Sequence, residues 1–301
     1  MRYVVTHTTT YSYDDDVTDS LGVGHLVPRP TPAQEVLGSE VLVDPEPVDL
    51  AADTDCYGNT VTYFQVTRPH RRLTVEGRSE VEVGTPAYDG DALAAPWERA
   101  RPLWHPEAPG AWRATDFALP SAGAEQTDEA WSYAAASLRP GRPVGEAVTD
   151  LMHRIHADFR YDATATTVTS TVEETFRHRA GVCQDFAHLT IACLRSHGLA
   201  VRYVSGYLAT LPPPGKDRVV GADASHAWAA VWVPGVDEGE WLALDPTNDQ
   251  WVGDRYVTVA WGRDYGDVPP VKGVIFTEAK KSTLTVSVDV APVAPVGTTA
   301  P

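Results

Sequence analysis

Two regimes of hydrophobic spacing divide the chain. Up to about residue 85, apolar and polar positions alternate in short Val-, Thr- and Tyr-rich runs: Tyr3 to Tyr11, Glu40 to Asp44, Thr60 to Val66 and Leu73 to Val83. Side chains on a strand point alternately to its two faces, so these runs, separated by Pro, Gly and Asp, predict antiparallel strands. They make residues 1–85 a small all-β, sandwich-like domain. Gly58-Asn59 between two runs is expected to supply the positive φ of a tight hairpin, with Cys56 beside it as a small turn residue. Residues 86–140 lose the alternation and cluster Pro, Trp and Ala. They predict an irregular connector with one short helix near Glu129 to Leu138, packed onto its neighbours by Trp104 and Trp112.

From Val144 the period changes. Val148, Leu151, Met152 and Ile155 recur at spacings of three and four, which predicts an amphipathic helix through about residue 158. Thr171 with Glu174 three residues on forms a capping-box signature, and a helix from there ends in the basic turn Arg177-His178-Arg179 before Gly181. A second helix is expected from Cys183 to His197, stopped by Gly198, with Cys193 on its inward stripe. Val201 to Leu208, Ala227 to Val233, Trp241 to Leu244 and Thr283 to Val290 read as strands, and Leu211-Pro212-Pro213-Pro214-Gly215 begins an exposed loop. The resulting division is 1–85, a connector over 86–140, a second domain over 141–277, a C-terminal strand over 278–291 and a flexible tail over 292–301.

Composition narrows the chemistry. A net charge of −17 argues against nucleic acid and anionic lipid, both of which call for basic patches. No run approaches the roughly 18–20 apolar residues of a membrane helix, and the N-terminus lacks the apolar core of a signal peptide. Three widely spaced cysteines (Cys56, Cys183, Cys193) with no Cys-x-x-Cys make neither a disulfide framework nor a zinc site. They suit a reducing cytoplasm, where a cysteine serves chemistry rather than cross-linking.

One cysteine stands out. Cys183 comes two residues after Gly181 and opens a helix, where free backbone N–H groups stabilise the thiolate that attacks carbonyls; the alternative is a buried structural cysteine. His226, entering an apolar strand, is either a general base for that sulfur or a core imidazole with a backbone partner. Asp245 could hold the imidazole in its working tautomer or cap the turn Asp245-Pro246-Thr247-Asn248. His226 and Asp245 lie 19 residues apart on strands joined by a short connection. They can face each other only if even positions of the first strand share a face with odd positions of the second, which groups His226, Trp228 and Trp232 with Asp245, Ala243 and Trp241.

Gly-Val-Cys-Gln-Asp-Phe-Ala-His at 181–188, Ser-Gly-Tyr-Leu at 205–208, Ala-Ser-His-Ala-Trp at 224–228, Leu-Asp-Pro-Thr-Asn at 244–248 and Gly-Arg-Asp-Tyr at 262–265 together resemble the bacterial transglutaminase-like family. Asp55-x-Tyr57-Gly58-Asn59 is similar to the β-rich region that precedes its core. The resemblance implies an α+β, papain-like core with helices packed on an antiparallel sheet or barrel, covering about residues 144–277. It implies Cys183 as nucleophile, His226 as base and Asp245 as orienter, with no metal or other cofactor and no calcium ligands. The Cys183 N–H is the implied oxyanion donor, since Gln184 is not placed like the upstream glutamine of papain-type enzymes. Gln184, Asp185, Trp228, Asp264 and Tyr265 are candidates for lining the site.

The implied chemistry is acyl transfer from a peptide or protein through a thioester. Hydrolysis of a peptide, isopeptide or amide bond is the first expectation. True cross-linking to a lysine amine, an arylamine N-acetyltransferase-like use of the same groups and a non-catalytic interaction scaffold are the alternatives. A homo-oligomer is left open.

Overall fold

The long β1 (Arg2–Gly24) organises the first half of this computed structural model, which describes residues 1–210, 224–235 and 239–293. It is followed by β2 (Gln34–Asp44), β3 (Asp49–Thr54), β4 (Thr60–Val66) and β5 (His70–Val83). Helices α1 (Asp128–Ala135), α2 (Val144–Asp158), α3 (Val172–His178) and α4 (Cys183–Arg195) come next. The chain continues with β6 (Val201–Leu208), β7 (Ala224–Val233), β8 (Glu240–Asp245), β9 (Gln250–Trp251), β10 (Tyr256–Gly262), β11 (Val271–Thr277) and β12 (Ser282–Pro292).

β1 belongs to two half-sheets. Residues 2–12 pair with β5 on one side, and 3–13 pair with β12 on the other. Residues 17–24 pair with β11 on one side, while 20–24 pair with β4 on the other. The ladder is interrupted between Ser12 and Val17, where three successive aspartates, Asp14 to Asp16, favour an exposed corner over a packed ladder. A bulge of this kind bends the strand. Leu26, Phe64, Val66, Leu73 and Val75 then share one core between the halves, a sandwich-like arrangement made from a single sheet. Residues 271–277, expected with the second domain, and the C-terminal strand thus both complete the N-terminal sheet. In the β3–β4 hairpin only Gly58 has a positive φ (77°); Asn59 instead uses its side chain.

The second half is an antiparallel sheet in the order β9-β8-β7-β6-β10, packed on α4. That helix is buried on nearly every side because α1, α2 and α3 cover the face away from the sheet. Phe159, Phe176 and Phe186 meet edge-on at 5.7–6.3 Å between ring centroids, an arrangement worth roughly 0.5–1.5 kcal/mol per pair beyond area burial. Cys193 is fully buried, as its position on the stripe predicts. The capping box at Thr171 and Glu174 is formed, but the left-handed residue that ends α3 is Arg179 (φ 49°) rather than Gly181. In the connector, Trp97 is buried and Trp104, though 57% exposed, packs its ring on Gly198 just past α4, whereas Trp112 is 73% exposed, contrary to the expectation that it too packs the connector onto its neighbours. The Pro212–Pro214 loop and the tail beyond 293 lie outside the described residues.

The two halves are joined by packing and by backbone mimicry. Tyr3 and Val5 of β1, Val81 and Val83 of β5, and Val288 and Val290 of β12 enter the same core as the α4 side chains. The edge strand β10 would otherwise present unpaired peptide groups. The carboxamide of Gln34 donates to Thr258 O (2.7 Å) and accepts from Thr258 N–H (2.8 Å). Asn59 does the same at Trp261, at 2.8 and 3.0 Å. Asn59 is 0% exposed, so nothing replaces it when it is lost. An unpaired buried polar group costs about 1–3 kcal/mol, and Asn59→Leu orphans both peptide groups of Trp261. A loss of about 2–4 kcal/mol in unfolding free energy is expected by denaturant titration; a change below about 0.5 kcal/mol would show that this edge needs no cover.

Candidate functional site

Gly181 prepares the start of α4. A Cβ there would lie 2.7 Å from Asp185 Oδ2, so only glycine lets the Asp185 carboxylate reach back and accept from Val182 N–H at 2.7 Å. Thr166 Oγ1 donates to the same oxygen at 2.6 Å. Burial pushes the Asp185 pKa up, and these two donors only partly offset it. The cap fixes the first turn and sets Cys183, half-buried, as the first helical residue, where N–H groups lack intrahelical partners.

The imidazole comes from β7 and the carboxylate from β8. The ladder pairs Trp232 with Trp241 and Ala230 with Ala243, so even positions of β7 face odd positions of β8, as the alternation requires. His226 Nε2 donates to Asp245 Oδ2 at 2.7 Å, which leaves Nδ1 free of that bond, and the ring shares a cleft with Cys183. On β6, Gly206 pairs with His226. A Cβ at Gly206 would fall 2.5 Å from the Trp228 ring and 2.2 Å from Val257 O, so this glycine allows Trp228 to pack beneath the imidazole. The structure thus bonds His226 to Asp245 and places Cys183 and His226 in the lining of one cleft.

Asp245 is 0% exposed and accepts from five donors. Oδ1 takes Thr247 N–H (2.9 Å) and Asn248 N–H (3.2 Å). Oδ2 takes His226, Asn248 Nδ2 (2.7 Å) and Tyr256 Oη (2.6 Å). The two roles weighed for this residue, turn cap and imidazole partner, therefore fall on different oxygens of the same carboxylate. Burial opposes its charge, but the His226 bond and charge, with Asn248 and Tyr256, hold its pKa below the ordinary carboxylate value. Burial likewise opposes charge on His226. The bonds to Asp245 and Cys183 overcome that and raise its pKa to about 10.

A cleft of ≈ 350 Å³ opens over Cys183 and His226, within the range of small-ligand sites. Gln184 and Tyr265 line it; Asp185, Trp228 and Asp264 do not. Gln184 Nε2 is engaged by Val168 O at 3.0 Å, and Trp228 is buried behind the imidazole. Asp264 turns away to accept from Gly123 N–H and Gly266 N–H, both at 2.8 Å. Sequence reasoning missed Tyr256 and Asn248, although Asn248 stands in the quoted Leu-Asp-Pro-Thr-Asn motif. It also assigned nothing to His188, whose Nε2 accepts from Tyr265 N–H at 3.1 Å and whose pKa burial pushes down to about 4. A larger groove of ≈ 570 Å³ beside His153 and Trp251 contains no cysteine. Among the described residues no group of three or more His, Cys, Asp or Glu is placed to hold a metal, and no helix is long and apolar enough to cross a membrane.

Comparison with known proteins follows this geometry. Residues 3–82 match the bacterial transglutaminase-like N-terminal region and residues 132–246 the transglutaminase-like superfamily. An uncharacterized protein of Mycobacterium tuberculosis is 50% identical over 295 residues, covering 97% of this chain and 93% of that protein. One from Mycobacterium leprae is 32% identical over 276 residues, covering 91% and 92%. A crystal structure from Cytophaga hutchinsonii, described as that of a candidate cysteine protease, shares the fold with a TM-score of 0.68 at 21% identity, covering 98% of this chain and 92% of its own. With both regions matched in order and a half-identical relative spanning nearly the whole length, the chain belongs to the bacterial transglutaminase-like family.

Proposed function

We propose that this protein is a cysteine hydrolase that cleaves a peptide, isopeptide or amide bond through a thioester. The observation that carries the reading is the position of His226, bonded through Nε2 to the buried Asp245 at 2.7 Å and lining one cleft with Cys183 at the start of α4. With a pKa near 10, His226 is an imidazolium at neutral pH and can serve as an acid. The Cys183 thiolate attacks the carbonyl carbon, and its own N–H, free at the helix start, supports the oxyanion. His226 passes its proton to the leaving amine as the C–N bond breaks, leaving a thioester. Water then attacks, gives a proton to His226, and the acid leaves as the C–S bond breaks and the thiolate–imidazolium pair returns.

Water as acceptor fits the cleft better than a lysine amine. No Asp or Glu lies among the described residues that line it, so none of these supplies a carboxylate to pair with an ammonium group. The fold shared with a candidate cysteine protease is consistent with hydrolysis.

Alkylation measures the ion pair without a substrate. At pH 6 iodoacetamide is expected to modify Cys183 well ahead of exposed Cys56 and buried Cys193, read by peptide mass spectrometry. His226→Ala should slow the labelling of Cys183 at pH 6 to about the rate of Cys56 in the same digest. Equal, slow labelling of all three cysteines would sink the reading and favour a non-catalytic scaffold. Turnover should decline as pH rises through about 10, where His226 loses its proton and with it the acid that releases the amine.

The second measurement concerns Tyr256. Its hydroxyl reaches Asp245 at 2.6 Å but does not line the cleft, so it acts on the imidazole's partner and not on substrate. Hydrogen bonds to charged groups are worth about 1.5–3 kcal/mol. Tyr256→Phe should therefore lower kcat roughly tenfold or more while KM stays near the wild-type value. A rise in KM with kcat intact would contradict this assignment.

A further inference from the structure

The cleft is walled on one side by the N-terminal sheet. Along β1 and β12 the register pairs Val5 with Val290, His7 with Val288, Thr9 with Val286 and Tyr11 with Leu284. Side chains two apart on a strand share a face, so these pairs form one continuous surface. Its first part is covered: Val5, His7, Val288 and Val290 are each 1–2% exposed beneath the second half of the molecule. Its continuation is open. Leu284 and Val286 are 57% and 47% exposed and lie in the cleft with Thr9, Tyr11 and Cys183. Tyr161, Tyr203 and Tyr265 line the same cleft, adding aromatic faces.

Charge is the second observation. The chain has 24 basic and 41 acidic residues. Yet among the described residues lining the cleft there is no Asp, Glu, Lys or Arg. His7, the nearest imidazole on the sheet wall, is held neutral: burial pushes its pKa down to about 4, and its nitrogens are engaged by Tyr207 Oη (2.9 Å) and Thr9 Oγ1 (3.1 Å). A charged substrate group laid against this wall would shed water and find no counter-ion among the described residues of β1 and β12 that face the cleft, which is costly. An apolar group would cover Leu284 and Val286 and gain from burial.

We propose that the face of β1 and β12 carrying Tyr11, Leu284 and Val286 is the acyl-donor subsite, and that it selects substrates with uncharged, apolar groups next to the scissile amide. The inference rests on Cys183 being the nucleophile. It assigns selectivity to the N-terminal sheet, which contributes none of the reacting atoms.

Substituted iodoacetamides test it, because all deliver the same electrophilic carbon and lose the same iodide. The probes are N-benzyl-iodoacetamide (neutral, apolar), N-carboxymethyl-iodoacetamide (anionic) and N-(2-aminoethyl)-iodoacetamide (cationic). Each Cys183 rate is divided by that reagent's rate with free cysteine and by the same protein's iodoacetamide rate. In the wild type the benzyl reagent should lead both charged ones by about tenfold or more, the scale on which an uncompensated charge is rejected. Leu284→Lys and Val286→Lys, at exposed positions that tolerate the change, should each raise the anionic-to-benzyl ratio about tenfold and leave the cationic reagent disfavoured. Three reagents equal within twofold in the wild type, or ratios unmoved in both variants, would overturn the subsite while Cys183 stays reactive. A Cys183 that reacts with iodoacetamide no faster than Cys56 would overturn the nucleophile and the subsite together.

Discussion

The site depends on keeping one carboxylate charged where no water reaches it. Burying an ionised group costs several kcal/mol unless partners replace its hydration. Asp245, with no exposed surface, recovers that cost through donors from three places: the turn that follows it, the Tyr256 hydroxyl on β10, and His226 on β7. Each donor constrains an element. β10 must approach at the register that brings Tyr256 in, the 245–248 turn must close, and β7 must stand beside β8 with His226 on the shared face. The imidazole proton is held as a consequence, since among the described residues His226 is the ion-pair partner of Asp245. Removing the carboxylate would therefore change both the protonation of His226 and the packing of three strands.

Much of this was legible from residue order, for a definite reason. Strand alternation is a two-valued property, so the parity of positions 226 and 245 limited how β7 and β8 could pair, and the ladder has the required parity. A helix start is equally local: a glycine before Cys183 and a carboxylate at Asp185 are its grammar, and they act through a close approach that a Cβ would block. Contacts between segments distant in sequence were not legible. Nothing in Tyr256 announces that its hydroxyl meets Asp245, and nothing in Gln34 or Asn59 shows that their carboxamides stand in for a missing strand. Trp112 marks the opposite error, since it is 73% exposed. Size and hydrophobicity suggested burial, but the connector anchors itself through Trp97, whose indole N–H bonds Arg139 O at 2.9 Å.

The N-terminal region was legible as strands but not as a neighbour of the site. Alternation says which residues of β1 share a face; it does not say what covers that face. The two answers here differ along one strand, with Tyr3 and Val5 in the common core and Thr9 and Tyr11 in the cleft. The change comes where the second half of the molecule stops, a boundary set by tertiary packing. The pairing of β12 with β1 is a contact across nearly the whole chain, and no local pattern encodes it.

That pairing separates two physical jobs. Reactivity of sulfur needs a fixed helix start, a held imidazole and a dry carboxylate, all within α4, β7, β8 and β10, and small errors there are costly because buried charge amplifies them. Choice of substrate needs a surface whose apolar area and charge can vary without disturbing that chain of contacts. The exposed stretch of β12 meets this requirement. Leu284 and Val286 touch the cleft, yet they lie beyond the buried Val288 and Val290 that hold the strand to the core. Substitution at the first pair alters what the cleft admits, whereas substitution at the second loosens the wall itself. Four positions of one strand face, two residues apart, thus divide into anchor and selector, and the division follows from where the core ends.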